Sequence, residues 1–227
     1  NLDMLMIGFM MVYACVGIYS VGVKFVLLIQ PIVETFGIVL FPKINISAGN
    51  SKEGYLKNLN LNYELILALG IPMAIGLYLI SEWIIPLFAG GKYMDAIIVL
   101  KIMSPIILLG PIGDMLGSKI LLVFKKDGWL LNSSIIVAIS NITLNFMFIP
   151  LWGINGAALA STLSCLVAVG IRYYYSRKII SFNLICKKHI KYLLFAIPFV
   201  VIYIMFKRII NDSNLWIFVF ISIGITI

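Results

Sequence analysis

The sequence predicts an all-α fold, a polytopic bundle of membrane-spanning helices, and three observations carry that expectation. Hydrophobic residues fill 62% of the chain, against roughly 45–50% in soluble domains. Charged residues fall to 11%, less than half the roughly 25% usual in such domains. The apolar residues are also gathered into runs near the roughly 20 residues that a helix needs to cross hydrocarbon. A soluble fold could not cover its surface with this mixture, whereas lipid accepts apolar side chains that face outward.

The chain opens at Asn1 within one apolar run and stops at Ile227 within another, so it reads as part of a longer protein. Residues 1–12 have no basic start and no small-residue cleavage site, and are not a secretory signal. They are expected to close one helix, followed by a long second helix over 16–41. Further spans are expected over 60–79, 96–123, 129–149, 154–174 and 189–206, and a last helix begins at 215. Residues 1–227 thus read as one bundle of six complete spans and two partial terminal ones.

Lysine and arginine favour cytoplasmic loops, and here they alternate. One set of loops carries Lys43, Lys52 and Lys57, then Lys125 and Lys126, then Arg177, Lys178, Lys187, Lys188 and Lys191, with Arg172 one turn inside. The opposite loops carry only Lys92, then Lys207 and Arg208. The side holding residues 47–58 is therefore expected to be cytoplasmic. Trp83, Trp129, Trp152 and Trp216 all fall at expected helix ends, where indole prefers the membrane–water boundary. The net charge of +8 follows the span ends and forms no aromatic-laced patch, which argues against nucleic acid as a partner. Two loops have character. SAGNSKEGYLKN at 47–58 suggests a short surface helix or turn, and the basic, amphipathic 176–188 would suit an anionic leaflet. An ordinary connector is the plainer reading of both.

Ionisable groups at bilayer depth cost about 2.5–3.5 kcal/mol each and usually face a bundle interior or a hydrated path. Lys24 and Glu34 lie in the second helix, and Lys101, Asp114 and Lys119 in the fourth. Their concentration in two helices predicts a water-accessible cavity between them; internal pairing that only fixes packing is the alternative. Lys101 and Lys119 are about five turns of ideal helix apart and should share a face, although Pro105, Gly110, Pro111 and Gly113 can bend the helix between them. Asp114 is expected to partner Lys119 only loosely. Pro31 frees a carbonyl near Leu27, with Gln30 and Glu34 one turn apart beside the break. Polar groups at a kinked helix are common along transport paths.

In the fifth span Ser134, Asn141 and Asn145 recur at helical spacing, suited to bonding a neighbouring helix or a sugar hydroxyl. Gly153, Gly156, Ala157, Ala160, Ser161 and Ser164 form a small-residue packing face in the sixth. Cys15, Cys165 and Cys186 are odd in number and without paired spacing, hence free thiols. His189 stands alone, so no metal site is expected. No phosphate loop, nucleophile turn or paired-acid motif occurs, and Asp3, Asp95, Asp114, Asp127 and Asp212 look isolated. Neither an enzyme nor a cofactor is called for.

The order of these features resembles the second half of the polysaccharide flippases of the multidrug/oligosaccharidyl-lipid/polysaccharide superfamily, which also contains the MATE antiporters. LDMLMIGFM followed by VGIYSVGVKF at 16–25 carries the resemblance, with FPKI at 41–44 and the polar loop containing Gly54. IPMAIGLYLISEWIIPLFAGGKYMDAIIVLKI at 71–102 and IPLWGINGAALAS at 149–161 extend it over nearly the whole chain.

The resemblance implies one MATE-like bundle of a two-bundle, multi-pass transporter of the bacterial cytoplasmic membrane. Its members carry undecaprenyl-pyrophosphate-linked oligosaccharides across by alternating access, through a cationic central cavity. On that reading Lys24, Lys101 and Lys119 would meet the anionic head group, with Gln30, Asn141 and Asn145 beside the sugars. Glu34 and Asp114 would couple an ion or proton, or simply neutralise a lysine. The implied partners are the lipid-linked oligosaccharide, membrane lipid and glycan assembly proteins. A cation-coupled drug exporter of the same fold is the second reading, although three membrane lysines against two acids speak against it. A glycan polymerase or glycosyltransferase would need a sizeable loop with acids in place, and the 176–188 connector has no carboxylate.

Overall fold

The computed structural model describes residues 2–184 and 187–212, and every regular element among them is helical. The expected all-α membrane bundle is borne out. Helix α1 covers Leu2–Met10, α2 Tyr13–Asn50 and α3 Lys52–Ala89; a turn at Gly91–Tyr93 leads to α4, Ala96–Met103, and α5, Ile106–Asp114. A π-helical segment, Met115–Leu122, follows, then α6 over Asp127–Arg177. A 3₁₀ stretch, Lys187–Ala196, precedes α7, Ile197–Asp212. Four stretches are long and apolar enough to cross a membrane: α2, α3, the composite Ala96–Leu122, and α6.

At 38 residues each, α2 and α3 run to about 57 Å at 1.5 Å per residue, far beyond a hydrocarbon core of about 30 Å. The stretch 47–58 holds the end of α2 and the start of α3, joined at Ser51. Ser51 is extended (φ −156°), and its Oγ accepts the Gly54 N–H at 3.0 Å, capping α3.

Helix α6 is two helices folded against each other. Gly153 adopts φ 57°, ψ −135°, a left-handed backbone that favours glycine, three residues after Pro150. The two arms pair about that point: Asn132 Nδ2 donates to Tyr175 Oη at 2.9 Å, and Arg172 Nε to Ser133 Oγ at 3.4 Å. The small residues of the second arm are largely buried, and Thr162 Oγ1 donates to the Ile102 carbonyl of α4 at 3.0 Å.

The fourth span is irregular for identifiable reasons. Pro105 breaks it between α4 and α5, and its C-terminal third widens to the π-helical register. Such a register change displaces carbonyls from their usual donors, and side chains take them up. Tyr55 Oη donates to the Lys119 carbonyl at 2.8 Å, and Arg172 Nη1 to that of Gly113 at 3.0 Å.

Two expectations change. Residues 189–206 are not one regular helix, because the α-helical register begins only at Ile197. Nor does the start of 176–188 lie free on a leaflet. Ile180 and Phe182 are buried, Phe182 meets the Tyr63 ring edge-on at 5.6 Å, and Tyr63 Oη donates to the Leu184 carbonyl at 2.8 Å. Cys186, Trp216 and the helix expected from 215 lie outside the described residues, as does the side chain of His189.

Candidate functional site: a polar seam between the second and fourth spans

Gln30, Glu34 and Gly37 fall on one stripe of α2, spaced four and three residues apart. Gln30 Nε2 donates to Glu34 Oε1 at 2.7 Å. The opposing surface is Gly110 of α5, where a Cβ would stand 2.6 Å from Gln30 Nε2. Glycine there is what lets the amide lie between the helices.

One turn further, a Cβ on Gly37 would stand 3.3 Å from Lys119 Nζ and 3.2 Å from Asn62 Nδ2. The α2 backbone, α3 and the π-helical segment therefore meet around an ammonium and a carboxamide. Lys119 pairs with Asp114 Oδ2 at 2.5 Å, its side chain 5% exposed while that of Asp114 is 49% exposed. Asn62 is fully buried, and neither of its polar side-chain atoms has a partner. The ion pair thus has one member inside and one at the surface, beside an unanswered amide. The pairing of Asp114 with Lys119 is direct and not loose, because the π-helical register brings residues five apart together.

The other expected contacts lie elsewhere. Lys24 is exposed on α2, in a groove of about 460 Å³ lined by Phe25, Leu28, Phe88 and Tyr93, with no ion pair among the described residues. Lys101 turns to α3, pairs with Glu82 at 2.5 Å and lies 5.5 Å from the Tyr78 ring centre. Lys101 and Lys119 do not share a face, since the Pro105 break and the π-helical segment rotate one away from the other. The three lysines therefore occupy three separate places.

Asn141 and Asn145 are drawn into a second cluster, bonded to each other and to α1. Asn145 Nδ2 donates to Asp3 Oδ1 at 2.8 Å and to Asn141 Oδ1 at 3.2 Å. Asp3 Oδ2 accepts from Ser161 Oγ at 2.8 Å and from Tyr19 Oη at 3.3 Å. Asp3 is thus not isolated: it joins α1, α2 and both arms of α6, with no ion pair among the described residues. The carboxylate is met by three neutral donors, which answer its lone pairs but leave its charge uncompensated. Sequence reasoning missed Asp3 because Asn145 and Ser161 lie 142 and 158 positions away. Among the described residues no group of three or more His, Cys, Asp or Glu gathers.

A carboxylate met by neutral donors, a buried ammonium and long kinked helices are set in a bundle with four helical stretches of membrane-crossing length. Residues 1–98 match the profile of the family described as polysaccharide biosynthesis protein, which bears out the resemblance read from the sequence. The fold is similar to that of a lipid II flippase, MurJ, in an inward closed conformation, with a TM-score of 0.74 at 20% identity. The match covers 99% of this chain and 47% of that one, so the chain spans about half the length of that flippase. No curated protein matches the chain.

Proposed function

We propose that this chain is one bundle of a transporter that carries an oligosaccharide linked to undecaprenyl pyrophosphate across a bacterial cytoplasmic membrane by alternating access. The observation that carries the proposal is α2. Lys24 lies on an exposed stripe with Leu28, Pro31 and Thr35, and an unpaired lysine at that depth is costly against lipid. That stripe belongs against a hydrated passage shared with the rest of the transporter, where Lys24 meets a pyrophosphate. Lys119, with Asp114 and Asn62, lines the passage nearer the turn between α2 and α3. Gln30 and Glu34 form its polar wall. Lys101, paired with Glu82, drops out of the binding set. The resemblance to polysaccharide flippases and the likeness in fold to MurJ both support this reading.

Cation coupling is the feature that the second reading, an exporter of the same fold, would share. We place it at Asp3 ahead of Glu34 and Asp114. Asp114 is neutralised by Lys119 and Glu34 meets one neutral donor, Gln30, whereas Asp3 gathers three neutral donors from α2 and both arms of α6.

The test is export of surface glycan by the intact protein. Lys24→Ala and Lys119→Ala are each expected to reduce export strongly at unchanged membrane abundance. Normal export in both would overturn the cavity assignment. Loss of drug efflux with intact glycan export would favour the exporter.

A further inference from the structure

At the end of the bundle opposite Gly153, the two arms of α6 and the turn before them gather cations that nothing in the transport reading uses. Lys125, Lys126, Arg177 and Lys178 are all exposed, and none makes an ion pair among the described residues. The acid nearest in sequence is Asp127. Lys125 takes a left-handed backbone (φ 54°), rare for a residue with a Cβ, at the tip of the turn.

Beneath these charges lies an aromatic floor. Trp129 of the first arm stacks on Tyr175 of the second, ring centres 5.3 Å apart. Lys126 lies over Trp129 at 5.3 Å, and Lys178 over Tyr174 at 4.3 Å. Cation–π contact holds ammonium groups in place without neutralising them. Indole and phenol rings of this kind prefer the bilayer boundary. Below them α6 exposes an apolar stripe, Leu131, Ile135 and Ile139, 63%, 49% and 59% exposed. Tyr55 packs edge-on against Phe124 at 5.3 Å, so the patch shares its end with the α2–α3 turn, the side expected to be cytoplasmic.

We propose that this patch is a binding site for an anionic phospholipid of the cytoplasmic leaflet. The phosphate group sits between Lys126 and Lys178, and the acyl chains lie along the Leu131–Ile135–Ile139 stripe. Fixed, unpaired cations above boundary aromatics and a lipid-compatible wall are complementary to such a lipid in charge and in polarity. The site does not depend on what the bundle transports.

The test uses the intact protein in nanodiscs of phosphatidylcholine mixed with phosphatidylglycerol, and native mass spectrometry of the lipids that leave with it. Phosphatidylglycerol should be enriched on the wild type, and K126Q/K178Q should lower that enrichment roughly thirtyfold, at about one surface cation's attraction each. K92Q, at the opposite end, should leave it unchanged. Equal enrichment in wild type and K126Q/K178Q, or none in the wild type, would overturn the proposal. If K126Q/K178Q does not fold, a variant retaining Trp129 as its sole tryptophan decides. Its fluorescence should be quenched more by brominated phosphatidylglycerol than by brominated phosphatidylcholine, and the excess should shrink in high salt. Equal quenching by the two lipids would overturn the proposal, and so would quenching by neither, which would mean that the patch faces another part of the protein.

Discussion

The Asp114–Lys119 seam and the Asp3 cluster lie in the same bundle and treat a charge in opposite ways. In the seam a cation is inside and its acid reaches the surface. Around Asp3 the acid is half-buried, and hydroxyls and an amide stand where a cation would. The first arrangement is closed electrostatically and open on one side to solvent. The second is satisfied in hydrogen bonds but not in charge. Stability should therefore be most sensitive to charge in the seam, and to hydrogen-bond acceptors around Asp3.

The largest effect tests the first half of that statement. Asp114→Asn leaves the Lys119 ammonium buried without its counter-charge, a change expected to cost about 3–5 kcal/mol. Lys119→Met removes the buried charge and leaves only a half-exposed carboxylate, so its melting temperature in detergent should fall less. Equal falls would show that Lys119 has another acceptor within reach, and the asymmetry would be lost.

Next comes the second half. Asp3→Leu strips the acceptor from Asn145, Ser161 and Tyr19, at about 1–3 kcal/mol for each group left unanswered. Part of that is recovered, because Tyr19 Oη and Ser161 Oγ already lie 3.3 Å apart. Asp3→Asn keeps an acceptor and loses the charge. Its melting temperature should stay near that of the wild type while export falls, and unimpaired export would remove Asp3 from coupling.

How much of this was legible in the sequence differs between the two clusters. Composition and run length gave the fold class, and Lys24, Glu34, Asp114 and Lys119 stand out as charges in apolar helices. Gly153 after Pro150 was visible as a likeness to a family pattern, and its left-handed φ explains the fold-back. The π-helical register around Lys119 has no signature in a single chain, so the spacing argument that aligned Lys101 with Lys119 failed. Asp3 was hidden for another reason. Its partners lie across the α6 hairpin, and only the hairpin's register brings Asn145 and Ser161 to one carboxylate. The spacing of Asn141 and Asn145 is the available signal, and it fits a neighbouring helix as well as a sugar without naming Asp3.

A smaller, steric effect sharpens the geometry of the seam. Gly110→Ala puts a methyl group 2.6 Å from Gln30 Nε2, an overpacking cost of about 1–3 kcal/mol. Gln30→Ala in the same chain should recover most of it, since the two positions share the contact. Additive losses in melting temperature would instead place the clash on backbone and separate Gln30 from the seam.

The smallest effect belongs to Lys101 and Glu82, of which the sequence singles out only Lys101, as part of a cavity lining. Their side chains are 25% and 45% exposed, so water screens the pair even at 2.5 Å. Exposed pairs contribute about 0–1 kcal/mol. Lys101→Met should move the melting temperature little and leave glycan export intact, since the side chain points to α3 and not toward α2. Loss of export at normal abundance would return Lys101 to the substrate path. The ion pair with Glu82 would then be one of two positions that the lysine takes during transport.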